Sequence, residues 1–308
     1  MAMLPPFSSL QKFCLTVPVL HLPVRTARLL LRAGAANESN IVIEHDGIQI
    51  GHIDVSVDGH IAVLDGALES PYRGHGYGAE ALGAAMDGLL ATPIERLAVL
   101  VVPDDIAAMR LVERQGFCFE GTTRAATIVD GSPVDQMQFA VLRADRADWL
   151  ARPSACAVVE LVEITDDNLR AVFALATHKH QEAFVAPVAR SLAQFGFPPT
   201  HDGHPVVPWA RAVRADGEIV GFLLLSAVSD GEPEPYVWRF LIDRRHQRRG
   251  VGSRTFGVLA DALRAQGHQG IVLSFVDGPG GPRAFYEGLG FVTTGNVHDG
   301  EHEARLAL

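Results

Sequence analysis

An internal repeat constrains this 308-residue sequence more than any other feature. Six positions of the first half correspond to positions of the second half at one constant offset of 174 residues (250 − 76). The pairs are Arg73 and Gln247, Gly76 and Gly250, Gly78 and Gly252, Gly116 and Gly290, Phe117 and Phe291, and Gly121 and Gly295. Because one offset aligns a loop, a helix end and the turn after it, the sequence predicts two copies of one structural unit. The predicted domains are 24–146 and 157–308, with a break at Arg152-Pro153-Ser154.

The second copy contains a strand, a glycine-containing turn and a helix in succession. An apolar run from Val237 to Ile242 predicts a buried strand, and a helical pattern follows Ser253. In the turn between them, glycine permits positive φ and a close approach of the backbone to a ligand. Backbone N–H groups and the positive helix end would then face an anion. The same pattern also suits a helix with a permissive N-terminus and no ligand.

Composition and charge narrow the function classes. The net charge of −10 argues against a nucleic-acid-binding protein, because such proteins normally present a basic face. Cys14, Cys118 and Cys156 form neither a disulfide framework nor a metal set, so a cytoplasmic location is expected. No apolar run approaches the roughly 20 residues that a membrane span needs, so no membrane partner is expected. Residues 1–23 lack the apolar core of a signal peptide and are expected to form a loosely ordered extension.

The two copies differ in length before their glycine loops. The segment between the first strand and the loop has 44 positions (76 − 32) in the first copy and 88 (250 − 162) in the second. In the second copy it has room for a helix capped by Thr165 and another within Gln181–Ala193. Helices average about 11–12 residues, so Ala33–Asn40 of the first copy cannot hold two.

Two motifs of the second copy resemble the signatures of the GCN5-related N-acetyltransferase (GNAT) family. They are Gln247-Arg248-Arg249-Gly250-Val251-Gly252 and Ala284-Phe285-Tyr286-Glu287-x-x-Gly290-Phe291. The resemblance implies an α/β fold with a mixed sheet, here as two tandem GNAT domains of which the first lacks the first two helices. It also implies acetyl-CoA as the cosubstrate.

The same resemblance implies direct transfer of an acetyl group to a primary amine. The pantetheine arm of acetyl-CoA would lie along the backbone of Phe240, Leu241 and Ile242. Its pyrophosphate would bind the backbone of Gln247, Arg248, Arg249, Gly250, Val251, Gly252 and Ser253. Tyr286 would protonate the leaving thiolate as general acid; a plain packing tyrosine is the alternative. Asp243 is expected to brace the loop.

A base or a water relay must take a proton, because an alkyl amine with a pKa near 10.4 attacks only in its neutral form. Glu234 and Glu182 are the candidate bases, with Glu232 beside them; each also fits an ordinary surface carboxylate. Together they could form an acidic site for a polycation.

Subfamily resemblances point to an acceptor. The second half is similar to the diamine, spermine and spermidine acetyltransferases of bacteria, through Gln181-Glu182-Ala183-Phe184-Val185-Ala186-Pro187 and Trp238-Arg239-Phe240-Leu241-Ile242-Asp243. It departs from them at Pro279 and Pro282, which could delay the helix that carries Tyr286. The first half resembles the ribosomal-protein-alanine acetyltransferases through Tyr72-Arg73-Gly74-His75-Gly76-Tyr77-Gly78. It has Val112 at the position of the tyrosine, but that branch often lacks the tyrosine. The missing helices are the stronger reason to interpret this half as degenerate.

The predicted partner is therefore a small-molecule amine, most simply a polyamine or similar cation, and the chain is expected to be a monomer or homodimer. The alternatives are an antibiotic or biosynthetic amine as acceptor, or a non-catalytic protein that binds a CoA ligand. His178, His180, His201 and His204 invite a metal interpretation, but they lack partners at ligand spacing, so no metal is predicted.

Overall fold

The computed structural model describes residues 21–34, 40–194, 197, 200–201, 204–226 and 234–308. The chain divides into two compact units, Met1–Leu150 and Ala151–Leu308. The predicted extension, 1–23, lies almost entirely outside the described residues, as does Glu232.

The first unit is built on a sheet with helices between its later strands. Its elements are β1 (Val24–Arg25), β2 (Leu30–Ala33), β3 (Asn40–His45), β4 (Ile48–Asp58), β5 (Ile61–Leu68), α1 (Tyr77–Leu90), β6 (Arg96–Val101), α2 (Ile106–Arg114), β7 (Cys118–Val129), β8 (Ser132–Leu142) and α3 (Arg143–Ala151). The strand order is β1-β2-β3-β4-β5-β6-β8-β7, and β5 and β6 are the parallel neighbours.

The second unit repeats this plan with two additional helices near its start. Its elements are β9 (Val159–Val162), α4 (Asp166–Phe173), α5 (Val188–Ala193), β10 (Thr200–His201), β11 (His204–Pro205), β12 (Pro208–Ala215), β13 (Glu218–Ser226), β14 (Tyr236–Ile242), α6 (Val251–Ala265), β15 (Gly270–Val276), α7 (Arg283–Gly288), β16 (Val292–His298) and β17 (Glu301–Ala307). The main sheet has the order β9-β12-β13-β14-β15-β17-β16, with β14 and β15 parallel. The predicted mixed sheets in two tandem units are confirmed.

Tight turns fix the register of two strand hairpins. Asp46 and Gly47 have φ of 50° and 78°, and Asp216 and Gly217 have φ of 50° and 92°. Two consecutive residues with positive φ are typical of the type I′ turns that join hairpin strands. The hairpins β3–β4 and β12–β13 therefore follow from the Asp-Gly pairs that the sequence shows.

The hydrophobic cores show which helices the two units share and which only the second unit has. In the first unit, α1 and α2 pack on one face of the sheet around Leu31, Leu64 and Met86. In the second unit, α6 and α7 cover the corresponding face around Phe256 and Leu273. A separate cluster on the opposite face of the second sheet lies under α4 and α5. Only residues 34–39 connect β2 to β3 in the first unit, so the predicted lack of two helices is confirmed.

The second unit departs from expectation at its second helix. The helix predicted within Gln181–Ala193 is reduced to a 3-10 turn at Lys179–Gln181 followed by α5. Pro187 stands at the N-cap of α5, since proline cannot continue a helix from the preceding residues. The helix capped by Thr165 is present as α4, with the reciprocal hydrogen bonds of a capping box to Asn168.

Helix α3 is an element that the sequence reading missed, because no apolar periodicity marks it. Two arginines attach it to the first unit. Arg143 donates from Nη2 to the carbonyl oxygens of Thr92 and Ile94, both at 2.6 Å. Arg146, only 6% exposed, donates to Asp87 Oδ1 and to the carbonyl oxygen of Gln115, both at 3.0 Å. The polar sequence forms a helix because tertiary hydrogen bonds hold it.

Replacing Arg146 with alanine should destabilise the first unit by about 1–3 kcal/mol, because the carbonyl of Gln115 loses its buried donor. Native-state hydrogen exchange of the α1 and α3 amides measures this loss. Arg124→Ala, at an exposed position of β7, is the matched control and should leave protection unchanged. Equal protection in both variants would contradict the anchoring role.

Candidate active site

The central feature of the second unit is a parallel strand pair that separates. Strands β14 and β15 pair at Tyr236 with Val272 and at Val237 with Leu273, and the ladder ends there although both strands continue. Past this point the backbone of β14 faces a gap in the sheet. Such an edge can accept an extended ligand by main-chain hydrogen bonds, as in strand addition. Phe240–Ile242, predicted to hold a pantetheine arm, forms this edge.

A bulge lies where the two strands part. On its other side β14 pairs with β13, and the register shifts so that Leu224 lies opposite Arg239 while Leu225 lies opposite Val237. Trp238 is the extra residue and packs against the cluster under α4 and α5. Bulges bend a strand and increase its twist, so this one helps β14 to leave β15.

The loop after β14 has a preset backbone shape. A 3-10 turn at Arg244–His246 leads to Arg248 with φ of 64° and to Gly250 with φ of 75°, which is the N-cap of α6. In the first unit Gly74 and Gly76 occupy the equivalent positions with φ of 81° and 83°. The glycine loops that the repeat predicts therefore share one backbone conformation.

Buried polar contacts fix this loop. The carboxylate of Asp243, whose side chain is 3% exposed, accepts hydrogen bonds from the backbone N–H groups of Arg245 at 3.0 Å and Ala176 at 3.1 Å. Gln247 Nε2 donates to the carbonyl oxygen of Ile242 at 2.9 Å and to Gln181 Oε1 at 2.8 Å. Asp243 thus braces the loop as expected, and Gln247 uses its side chain for the same purpose.

The predicted cofactor-binding arginines have different environments. Arg248 is exposed, whereas the Arg249 side chain is 10% exposed and donates from Nη1 to His246 Nδ1 at 3.0 Å. Burial, the largest cause, together with neighbouring arginines lowers the pKa of His246, which favours the neutral ring that accepts this bond. Arg249 therefore stabilises the loop through its contact with His246, whereas the exposed side chain of Arg248 is available to an anion.

Gly252 allows the closest contact between helices α6 and α7. A Cβ atom at this position would lie 3.0 Å from the ring of Phe285. The ring of Phe285 stacks with that of Phe240, their centroids 6.2 Å apart. The first turn of α6, strand β14 and helix α7 thus meet at one aromatic contact beside the gap.

Tyr286 lies next to the gap, on the face of the sheet that α6 covers. It is 8% exposed, and its ring centroid lies 5.7–5.9 Å from those of Phe256, Phe275 and Phe291. Burial, and secondarily the charge of Glu301, raises the pKa of its hydroxyl above the usual value. The phenol therefore keeps its proton throughout the neutral and mildly alkaline range, which a proton donor requires.

The prolines before Tyr286 coincide with a late helix start, since the start of α2 at Ile106 corresponds to residue 280 (106 + 174) and α7 starts at Arg283. Helix α7 begins directly after Pro282, whose carbonyl oxygen accepts hydrogen bonds from the N–H groups of Phe285 and Tyr286. Gly281 N–H closes the preceding turn onto the carbonyl oxygen of Gly278 at 2.9 Å.

The two candidate bases are both engaged with cations. Glu182 Oε2 lies 2.5 Å from Lys179 Nζ. Glu234 accepts two hydrogen bonds at 2.7 Å from Arg305, and this pairing lowers its pKa. Both contacts count against a free base at either position. The structure instead shows a carboxylate that the sequence reading missed, Glu301, whose charge acts on Tyr286.

The equivalent site of the first unit is chemically different. Val112, 3% exposed, occupies the position of Tyr286 and offers no proton. Arg28 lies against the loop, donates from Nη1 to the carbonyl oxygen of His75 at 2.9 Å and pairs with Glu80 at 2.7 Å. Its guanidinium would be 3.3 Å from a Cβ at Gly76. An arginine of this unit thus covers its own loop.

The histidines that suggested a metal site do not form one among the described residues. The rings of His178 and His180 stack with centroids 5.9 Å apart, and no group of His, Cys, Asp and Glu among the described residues has the arrangement of a metal site. The side chains of His201 and His204 lie outside the described set. None of the helices described is long and apolar enough to cross a membrane.

Replacing two glycines of α6 should give opposite effects. Gly252→Ala forces the ring of Phe285 away and should destabilise the second unit by about 1–3 kcal/mol. Gly257→Ala is the matched control, because a Cβ there meets nothing within 4 Å, and it should stabilise the helix by about 0.5–1 kcal/mol. Thermal unfolding measures both, and a shift of equal sign in the two variants would contradict the contact described for Gly252.

Comparisons with known proteins give the family. The model of the Acetyltransferase (GNAT) family matches residues 4–117 and 161–291. No curated protein was found to match the chain.

Among solved structures, Mycobacterium smegmatis RimJ in complex with CoA-disulfide is 23% identical, with a TM-score of 0.32, and covers 37% of this chain. The chain spans 53% of that protein. A GNAT-family acetyltransferase from Bacillus anthracis is 18% identical, with a TM-score of 0.36, over 40% of this chain and 99% of its own. Mutant forms of the spermidine/spermine N-acetyltransferase SpeG from Vibrio cholerae are 18% identical, with a TM-score of 0.34, over 35% of this chain and 66% of theirs.

Proposed function

The chain belongs to the acetyltransferase (GNAT) family, whose members are acetyl-CoA-dependent N-acetyltransferases, and we propose that its second unit moves the acetyl group of acetyl-CoA to a primary amine. The observation that carries this proposal is the gap between β14 and β15, which opens directly beside a braced anion loop and a buried tyrosine. The domain that works is 157–308, and 24–146 is a degenerate copy.

The donor fits this arrangement in two parts. The backbone of Phe240, Leu241 and Ile242 pairs with the amide groups of the pantetheine arm and polarises the thioester carbonyl. The N–H groups of Gln247–Ser253 and the positive end of α6 bind the pyrophosphate, with exposed Arg248 adding charge. Arg249 acts indirectly, through His246.

Acetyl transfer proceeds by direct attack. The neutral amine adds to the thioester carbonyl and the C–N bond forms. The nitrogen, now positively charged, loses one proton to a base or a water relay, and the C–S bond breaks as the carbonyl returns. Tyr286 donates its proton to the leaving thiolate, so that CoA departs as the thiol. The raised pKa of Tyr286 keeps the donor protonated at neutral and mildly alkaline pH.

A small cationic amine such as a polyamine is the leading acceptor. It is supported by the resemblance of the second half to diamine, spermine and spermidine acetyltransferases, and by the Glu301 carboxylate of β17 on the sheet face opposite Tyr286. At the predicted acidic site, Glu182 is paired with Lys179 and Glu234 with Arg305, so the negative charge offered to a cation there is partly balanced.

One observation favours the second candidate, an acceptor amine that also carries an anionic group. Arg239 lies opposite Leu224 and therefore on the sheet face covered by α4 and α5. Its Nη1 donates to the carbonyl oxygen of Trp238 at 2.6 Å, while its buried Nε has no partner among the described residues. A carboxylate or phosphate on the acceptor would fit such a donor.

The proposed activity is tested by thiol release from acetyl-CoA with putrescine, spermidine, spermine, amino acids and aminoglycosides. Tyr286→Phe should lower kcat by about 10²–10⁴-fold, because the general acid is lost, while the Kd of acetyl-CoA stays unchanged. Tyr72→Phe makes the same change in the first unit and should have no effect. Acetyl-CoA binding without turnover on any amine would contradict the proposal and indicate a CoA-ligand-binding protein.

A substitution of Arg239 distinguishes the two classes of acceptor. Arg239→Gln should raise KM for amines that carry an anionic group, because their charge partner is lost, and should leave KM for spermidine unchanged or lower. Steady-state kinetics on both amine types measure the split. An equal change for both types would remove Arg239 from acceptor recognition.

A further inference from the structure

Strand β17 places one carboxylate in an unusual position beside the gap. Side chains alternate along a strand, and Ala304 is buried in the core under α6 and α7. Glu301, Glu303 and Arg305 therefore share the opposite face of the sheet. The pairing of Glu301 with Val276 sets the carboxylate at the end of β15 that has parted from β14.

The partners of these side chains distinguish Glu301 from the other acidic groups. Arg305 is paired with Glu234, and Glu303 accepts hydrogen bonds from Thr294 at 2.6 Å and Asn296 at 2.9 Å. Glu301 accepts a short hydrogen bond from the hydroxyl of Ser274 and forms no ion pair within the described part of the chain. Its remaining lone pairs are available to a ligand.

The contact with Ser274 also orients the carboxylate. Leu273 and Phe275 point into the core, so Ser274 between them lies on the same face as Glu301. One Glu301 oxygen is held by the serine hydroxyl, and Glu301 is only partly exposed. A carboxylate held by one oxygen is preorganised to receive a proton on the other.

The carboxylate and the proposed acid act on one another across the sheet. Burial is the main reason for the raised pKa of the Tyr286 hydroxyl, and the negative charge of Glu301 is the second. Electrostatic interactions weaken with distance. The geometry agrees, because the Tyr286 ring contacts Phe275 of β15 and Glu301 pairs with the next residue of that strand, Val276.

We propose that Glu301, held by Ser274, is the catalytic residue that binds the acceptor amine and takes its proton. This assignment rests on the proposed acetyltransferase function of the second unit. It supplies the base that neither Glu182 nor Glu234 provides, and it explains why a carboxylate without a cationic partner faces the gap.

Glu301 and Tyr286 together account for every proton that moves in the reaction. The amine nitrogen attacks the thioester carbon and becomes positively charged in the tetrahedral adduct, which makes its N–H acidic enough for a carboxylate to remove. That proton passes to Glu301, the C–S bond breaks, and the thiolate takes the proton of Tyr286. Glu301 then returns its proton to the phenolate, directly or through water. The products are the amide and CoA thiol, and both side chains are restored.

The decisive comparison is between two neighbours on one face of β17. Glu301→Gln keeps an oxygen that can accept from Ser274 but cannot take a proton, and it should lower kcat/KM for the best amine of the panel by about 10²–10⁴-fold. Glu303→Gln makes the same change two residues away and should retain wild-type kinetics. Calorimetry should give an unchanged Kd of acetyl-CoA for both variants. Equal activity of Glu301→Gln and wild type would overturn the assignment.

Chemical rescue separates a proton-accepting role from a structural one. Glu301→Ala should lose activity and regain part of it with added formate, whose carboxylate enters the space left by the side chain. Formate should not rescue Glu301→Gln or Tyr286→Phe. Failure of formate to rescue a folded Glu301→Ala enzyme would overturn the assignment. An inactive wild-type enzyme would instead reject the proposed function, so the two failures are distinguishable.

Discussion

The parting of β14 from β15 is the constraint on which the rest of the second unit depends. A parallel ladder that stops after two residue pairs leaves main-chain donors and acceptors open inside a sheet, and such groups are costly unless something pairs with them. The surrounding structure maintains the separation: the bulge at Trp238 bends β14, and Phe285 fills the space between β14 and α6. In the proposed function an extended donor molecule supplies the missing pairing, so the stability of the sheet and the recognition of the ligand would involve the same atoms.

The elements that were predicted correctly from the sequence are those that depend on residues close together in the chain. The buried strand predicted at Val237–Ile242 is present in β14, the helix capped by Thr165 is present as α4, and the glycine loops were located by the repeat. It did not predict what depends on distant partners. Glu234 pairs with Arg305, which follows it by 71 residues (305 − 234), and helix α3 depends on carbonyl groups more than 45 residues away. Glu301 could have been found from the Asp299-Gly300 turn, which fixes the register of β17, but only after β17 is known to pair with β15.

Comparison of the two units separates what the fold needs from what the chemistry needs. The strand order, the parallel pair and the left-handed loop residues are common to both. The phenol, the two helices before β12 and the open anion loop belong to the second unit only, whereas the first has Val112, a short connection and Arg28 against its loop. Backbone topology thus persisted while side chains at the site changed, as expected when packing constrains one set of positions and ligand chemistry another.

The left-handed conformation of Arg248 has a consequence for the speed of donor binding. For a residue other than glycine this conformation costs about 1 kcal/mol or more. In the unfolded chain, however, such a residue has fewer accessible conformations than glycine, so ordering it costs less conformational entropy. With Asp243 and Gln247 holding both sides of the turn, the loop reaches its ligand-ready shape during folding. In the proposed function a donor would therefore meet a loop that already has its binding conformation, and its association would be limited by diffusion and orientation and not by rearrangement of the loop.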